Sequence, residues 1–207
     1  MTRALVFAAI AVAALAGVNC SPAGGDIFPL SVGSVWNMDV VLMAGTAAAA
    51  LDTMQTGTAV STAVDKANLA TGPEVIKFRN DVTVRILMPD TTYTMTTYAY
   101  YREDGDWILS YADLDDSIGD TVMVTSPSVG KTWHQGTSTV EVIGQEDVSV
   151  PAGTFKNAWK VKLTTNTAME MFYWFVGGTG MVKLHYEFTD MGYTQVYDQS
   201  LTSATIK

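Results

Sequence analysis

The sequence predicts an all-β fold, a single antiparallel and strongly curved sheet (half-barrel or sandwich), preceded by an N-terminal signal helix. Three observations carry this. Period-two alternation of apolar and polar residues recurs along the chain beyond Gly25, the spacing of a strand with one buried face. The alternating runs are rich in Thr, Val, Tyr and other residues that suit a pleated surface. Short turns built on Gly, Asp and Asn separate them. At 207 residues, with no Pro- or Ser-rich linker in the mature region, the β part is one domain. We divide the chain into a signal peptide over 1–19, a flexible tether over 20–26 and the β domain over 27–207.

The leader comes first. Arg3 supplies a basic start, and residues 4–18 are apolar apart from Gly17. Fifteen or so apolar residues make an export signal but fall short of the ~20 that a spanning helix needs. Ala14-Leu15-Ala16 offers an ordinary cleavage site, which would release a soluble periplasmic or secreted protein. Cys20 offers the other route. It follows the apolar run and precedes the small-residue tether Ser21-Pro22-Ala23-Gly24-Gly25, which resembles the bacterial lipoprotein pattern, in which the thiol is acylated. The preceding residues are Gly17-Val18-Asn19, a departure from the usual Leu-Ala-Gly box. Each buried methylene contributes ~0.8 kcal/mol, so two or three acyl chains hold a protein at a membrane. Lipid attachment at Cys20 and residence in the bacterial cell envelope, at the periplasmic or outer-membrane side, are the expectation.

The strands follow in order: 35–43, then 75–79, 82–88, 93–101, 107–111 and 137–143, with Asn80-Asp81 read as a joint. A short helix or loose loop is expected over 46–54, which is Ala-rich but has no clean cap. Glu103-Asp104-Gly105-Asp106 provides a hairpin turn, since Asp-Gly accepts positive φ. Trp159, Val161 and Leu163 alternate with Lys160 and Lys162. Val182, Leu184, Tyr186 and Phe188 alternate with Lys183, His185 and Glu187, which places the charged set outward. A last strand covers 193–201.

One internal similarity suggests a duplicated half-domain. Ser31-Val32-Gly33-Ser34-Val35-Trp36 matches Ser128-Val129-Gly130-Lys131-Thr132-Trp133, and each copy leads into a strand. A Gly turn would deliver a Trp anchor to the core in both.

Val150-Pro151-Ala152-Gly153-Thr154-Phe155, with Ala158-Trp159-Lys160-Val161 and the run from Tyr173-Trp174-Phe175 through Gly178-Thr179-Gly180-Met181-Val182-Lys183, forms a recognisable arrangement. It is similar to a group of uncharacterised exported bacterial lipoprotein-like proteins that share a VPAGTF turn and a YWF-x-x-G-x-G-x-VK hairpin. Phe28-Pro29-Leu30 with Val32-Gly33 and Trp36 matches the group as well, whereas Gly177 stands where its members carry Pro. The resemblance implies a curved antiparallel sheet like the half-barrels of periplasmic lipoprotein carriers, and it implies no agreed activity.

Composition narrows the function. With 12 Lys+Arg against 21 Asp+Glu and no basic cluster, the chain lacks the face that nucleic-acid phosphates require. One cysteine excludes an internal disulfide and a Cys-rich zinc module. No G-x-S-x-G elbow, H-E-x-x-H helix or phosphate-binding Gly loop occurs, so no cofactor and no catalytic residue is assigned. His134 and His185 are read as solvent-facing. The acidic run with Asp113, Asp115, Asp116 and Asp120 is a weak Ca²⁺ candidate, since Ca²⁺ takes six to eight oxygens, but the spacing is not that of an EF-hand. Trp36, Trp107, Trp133, Tyr173 and Trp174 are candidates for lining a ligand pocket, the alternative being that they fill the core. The expected function is therefore non-enzymatic: an envelope protein binding an apolar or extended ligand or a protein partner. The alternative is a structural or surface-interaction module working through a sheet edge or loops, and a hydrolase comes third.

Overall fold

Twelve strands form over the residues that the structure, a computed structural model, describes: 26–46, 51–167 and 169–207. The first six are β1 (Val35–Thr46), β2 (Asp52–Asn68), β3 (Glu74–Leu87), β4 (Asp90–Asp104), β5 (Trp107–Tyr111) and β6 (Asp120–Val124). The second six are β7 (Thr132–Gln135), β8 (Ser138–Val150), β9 (Gly153–Thr164), β10 (Glu170–Val176), β11 (Gly180–Asp190) and β12 (Tyr193–Thr205). The sheet order is β6-β5-β4-β3-β2-β1-β12-β11-β10-β9-β8-β7, so two six-stranded meanders join along the β1/β12 ladder. The sheet curls until β6 and β7 face one another, an all-β barrel that is nearly closed.

The alternation read from the sequence is realised in these strands. On β11, Val182 and Leu184 are buried while Lys183 and His185 face outward. On β9, Val161 and Leu163 point in beside the outward Lys160 and Lys162. Outside the barrel the lysines meet acids on neighbouring strands: Lys160 with Glu146 at 3.1 Å and Lys162 with Glu170 at 3.3 Å. A barrel that spans a membrane needs an apolar outer band instead. No helix among the described residues is long and apolar enough to cross one.

Twelve strands would ordinarily enclose more space than their own inward side chains fill. One chain segment enters it and another packs against its end. Ile27 and Phe28 are buried, and Phe28 packs on Tyr101 with ring centroids 5.2 Å apart, beside the Trp36–Phe78–Tyr101 stack. The tip of the β8/β9 hairpin, Pro151-Ala152, reaches across to β12, where the Ala152 N–H donates to the Leu201 carbonyl at 2.9 Å. That carbonyl is available because the β11/β12 ladder stops at Ser200 and the β1/β12 ladder is bulged just beyond. The VPAGTF segment thus acts as a strut across one end of the barrel.

The two Ser-Val-Gly-x-x-Trp copies adopt the same turn. Gly33 N–H donates to Ala63 O and Ala63 N–H to Ser34 O; Gly130 N–H donates to Val142 O and Val142 N–H to Lys131 O, all at 2.8–2.9 Å. Both glycines have positive φ, 90° and 82°, a conformation that costs an L side chain. Each turn opens one six-stranded meander and delivers a buried Trp to its first strand.

Three expectations need correction. The helix or loop over 46–54 is absent at both ends, since Thr46 closes β1 and Asp52 opens β2; residues 47–50 lie outside the described ones. Asn80-Asp81 is no joint, because β3 runs through it. Asn80 turns inward and accepts a hydrogen bond from Ser61 Oγ at 2.7 Å, while Asp81 pairs outward with Arg79 at 2.9 Å. The strands β2, β6 and β7 stand where no strand was read. The signal peptide, Cys20 and the tether up to Gly25 lie outside the described residues.

Candidate functional site

The five aromatic candidates do not converge. Trp36 is fully buried and donates from Nε1 to Thr179 O at 3.2 Å. Tyr173 is also internal; burial pushes its hydroxyl pKa far up. Trp174, next in the strand, lies on the outer face, where Lys160 and Lys183 sit 5.1 and 5.3 Å from its ring and its Nε1 donates to Glu146 at 2.8 Å. Burial opposes ionisation of Glu146, but that bond and the Lys160 and Lys183 charges outweigh it and hold its pKa down. Trp107 and Trp133 meet edge to face at 6.3 Å at the seam, and Trp133 Nε1 donates across it to Thr121 O on β6 at 3.1 Å.

Behind the seam a space of about 20 Å³ is lined by Phe28, Val122, Gln135, Leu163, Tyr173 and Phe175, among others. That is room for roughly one water molecule, and an acyl chain would require the wall to move.

The acidic run serves the backbone. Asp116 Oδ2 accepts from the N–H groups of Ala112 and Asp113, both at 2.9 Å, and Asp113 Oδ1 accepts from Leu114 N–H at 2.6 Å. No group of three His, Cys, Asp or Glu side chains is placed to hold a metal ion among the described residues. His134 is exposed, and His185 pairs with Asp198 at 3.0 Å on the outer face.

The feature that sequence reasoning missed is an open strand edge. β4 pairs with β3 from Asp90 to Tyr101, whereas β5 covers β4 only from Tyr100 to Asp104. Among the described residues, the backbone of Asp90 to Ala99 therefore has one side that no strand pairs. The cause lies in the acidic loop. After Tyr111 the Asp116 turn folds the chain away, and Leu114 docks beside Leu69, where its carbonyl accepts from Ala70 N–H at 2.8 Å. Gly119 packs so closely on the Tyr111 ring that a Cβ would lie 2.7 Å from it. β5 thus ends at Tyr111 and cannot continue alongside β4.

The two acids at this edge are engaged. Arg85 makes two hydrogen bonds to Asp90, 2.8 and 2.9 Å, and holds its carboxyl below the usual range. Asp81 is engaged by Arg79 and by the Thr96 hydroxyl. From Thr91 to Tyr101 there is no acidic or basic side chain. Tyr93, Met95 and Tyr98 are 43%, 37% and 48% exposed. Tyr93 and Met95 share the inner face with their β3 partners Val84 and Val82; Thr92, Thr94 and Thr96 take the outer face. Natural edges are usually guarded by Lys, Pro or a bulge; residues 90–99 themselves carry none, and Lys77 of β3 reaches over to them, 4.3 Å from the Tyr98 ring.

No family model matches the chain, and no curated protein matches it at a significant level. Two solved structures match it over most of its length. One is a candidate exported protein with a YmcC-like fold from Bacteroides fragilis NCTC 9343, 13% identical, covering 88% of this chain and 100% of that one, with a TM-score of 0.39. The other is a candidate lipoprotein from Parabacteroides distasonis ATCC 8503, 12% identical, covering 87% and 99%, with a TM-score of 0.36.

Proposed function

We propose that this is an exported, lipid-tethered and non-enzymatic envelope protein whose task is to bind an extended polypeptide along the open edge of β4. The single observation that carries this is the ten-residue unpaired stretch from Asp90 to Ala99. Strand addition uses the amide and carbonyl groups of such an edge for affinity and alternate side chains for selectivity. Here Tyr93 and Met95 would meet apolar residues of the incoming strand, and the Thr92-Thr94-Thr96 row would meet small or hydroxylated ones. The space behind the seam is only water-sized, which favours the edge over that part of the interior as the binding surface. The apolar leader and Cys20 supply export and anchor.

The test is in the native host. A photoreactive amino acid placed at Thr92 or Thr96 is expected to cross-link a polypeptide on illumination, while one placed at Glu187 on the opposite wall is expected to stay free. If no position between Thr91 and Tyr98 yields an adduct in living cells, the edge is not the binding surface. In parallel, Cys20→Ser is expected to release the protein from the membrane fraction, and a variant that stays bound removes the lipid anchor from the proposal.

A further inference from the structure

Residues 91–97 read Thr-Thr-Tyr-Thr-Met-Thr-Thr, a near-palindrome centred on Thr94. Nothing in the fold demands this symmetry: β4 pairs with β3, whose facing residues from Ile86 to Asn80 are not palindromic. A strand that meets its own copy antiparallel about a two-fold axis places residue i opposite residue 188 − i when the axis passes through Thr94. Thr91 then faces the partner's Thr97, Thr92 faces the partner's Thr96, Tyr93 faces the partner's Met95, and Thr94 faces the partner's Thr94. Between Thr91 and Thr97, hydroxyl side chains meet hydroxyl side chains and the apolar Tyr93 and Met95 meet each other. A two-fold interface has to be self-complementary in this way.

We infer that the occupant of the β4 edge is a second copy of this chain, paired antiparallel about Thr94 to give one sheet continuous through both molecules. This rests on the edge being the binding surface and names its partner. Electrostatics favours the pairing locally even though the whole chain carries a net charge of −9. The stretch that pairs has no acid or base, and Asp90, which would face the partner's Tyr98, is already engaged by Arg85. No like charges are therefore brought opposite one another, the arrangement that weakens a cross-strand pair. The geometry of the pair is already sampled within the chain, where Thr94 and Thr83 face each other on β4 and β3 with hydroxyl oxygens 3.1 Å apart.

The experiment uses the mature protein purified from its own envelope, and reads self-association by sedimentation velocity and native mass spectrometry. The wild type is expected to dimerise. Thr94→Lys and Thr94→Asp each put like charges face to face at the axis, and each is expected to weaken the dimer about tenfold or more. An equimolar mixture of the two variants is expected to recover dimers that contain one chain of each. That recovery excludes misfolding as the cause of the loss. A wild type that stays monomeric up to about 100 μM, where a weak specific dimer is populated, overturns the inference, as does a Thr94→Lys protein that dimerises like the wild type. If the wild type is monomeric while photo-cross-links from Thr92 reach a different envelope protein, self-pairing fails and the reading of the edge stands. If there is neither self-association nor an adduct, both fail.

Discussion

Replacing Gly57 with Ala tests how tightly the sheet is coiled where β2 meets β3. Gly57 lies opposite Val84 in the ladder. A Cβ built on it would fall inside the van der Waals envelope of the Thr83 carbonyl oxygen, 3.0 Å from Val84 Cα and 3.2 Å from Thr83 C. All three are backbone atoms, so no rotamer change relieves the contact and the ladder itself has to part. Forcing one extra carbon into a packed site costs about 1–3 kcal/mol, and we place this change in the upper part of that range, about 2–3 kcal/mol. For a chain of this size each kcal/mol lowers Tm by about 2–4 °C, which gives a fall of about 4–12 °C. Gly144→Ala is the control. It also lies within a strand, at a bulge of β8, but a Cβ there meets nothing within 4 Å. Its expected effect is neutral to about 1 kcal/mol stabilising, from the lower entropy of the unfolded chain. Thermal melts followed by circular dichroism, with urea midpoints alongside, separate the two. If Gly57→Ala melts with the wild type, or if both variants lose the same stability, the close approach of β2 and β3 is wrong.

Two further changes probe the seam and the outer belt. Trp133→Phe keeps a ring near Trp107 but removes the hydrogen bond to Thr121 O and part of the buried indole; a loss of about 2–3 kcal/mol is expected, with faster amide exchange concentrated in β6 and β7, and unchanged exchange there would refute the bridging role. Glu146→Gln preserves an acceptor for Trp174 Nε1 and deletes the charge. Because the folded-state pKa of Glu146 is depressed below its ordinary value near 4.5, its contribution is present above that pH and lost as the pH falls through the folded value. Acid titration of stability should therefore show a smaller drop below pH 4.5 in the variant than in the wild type, and identical curves would remove Glu146 from the account.

The parts of the fold legible in the sequence are those where one face is dry and the other charged. β9 and β11 were visible because Val161, Leu163, Val182 and Leu184 alternate with lysines and a histidine. β2 was not, because its residues are mostly Thr, Ala, Ser and Gly: it lies between β1 and β3, both ladders hold its backbone, and its small side chains leave room for Trp36 and Phe78. Asn80-Asp81 has the composition of a turn, and the facing Ser61 makes Asn80 tolerable inside; its Nδ2 finds no acceptor among the described residues. β6 and β7, at five and four residues, are too short for alternation to show. The open edge was hidden for another reason. The residues 93–101 read plainly as a strand, but whether a strand is covered depends on where its neighbour stops, and that is set by Asp116 and Leu114 more than ten residues further on.

The two meanders bear on the mechanics of the barrel. In the sheet order, the β1/β12 junction and the β6/β7 gap lie half the strands apart. One junction is zipped by backbone from Val35 to Thr46, while among the described residues the other is clasped by the Trp133 indole N–H, the Trp107–Trp133 ring pair and Lys131, whose ammonium lies 4.9 Å from the Trp107 ring. The molecule is therefore a split ring. No ladder hydrogen bond ties β6 to β7 among the described residues, so the side chains of the clasp set the girth there, and the water-sized void lies directly behind them.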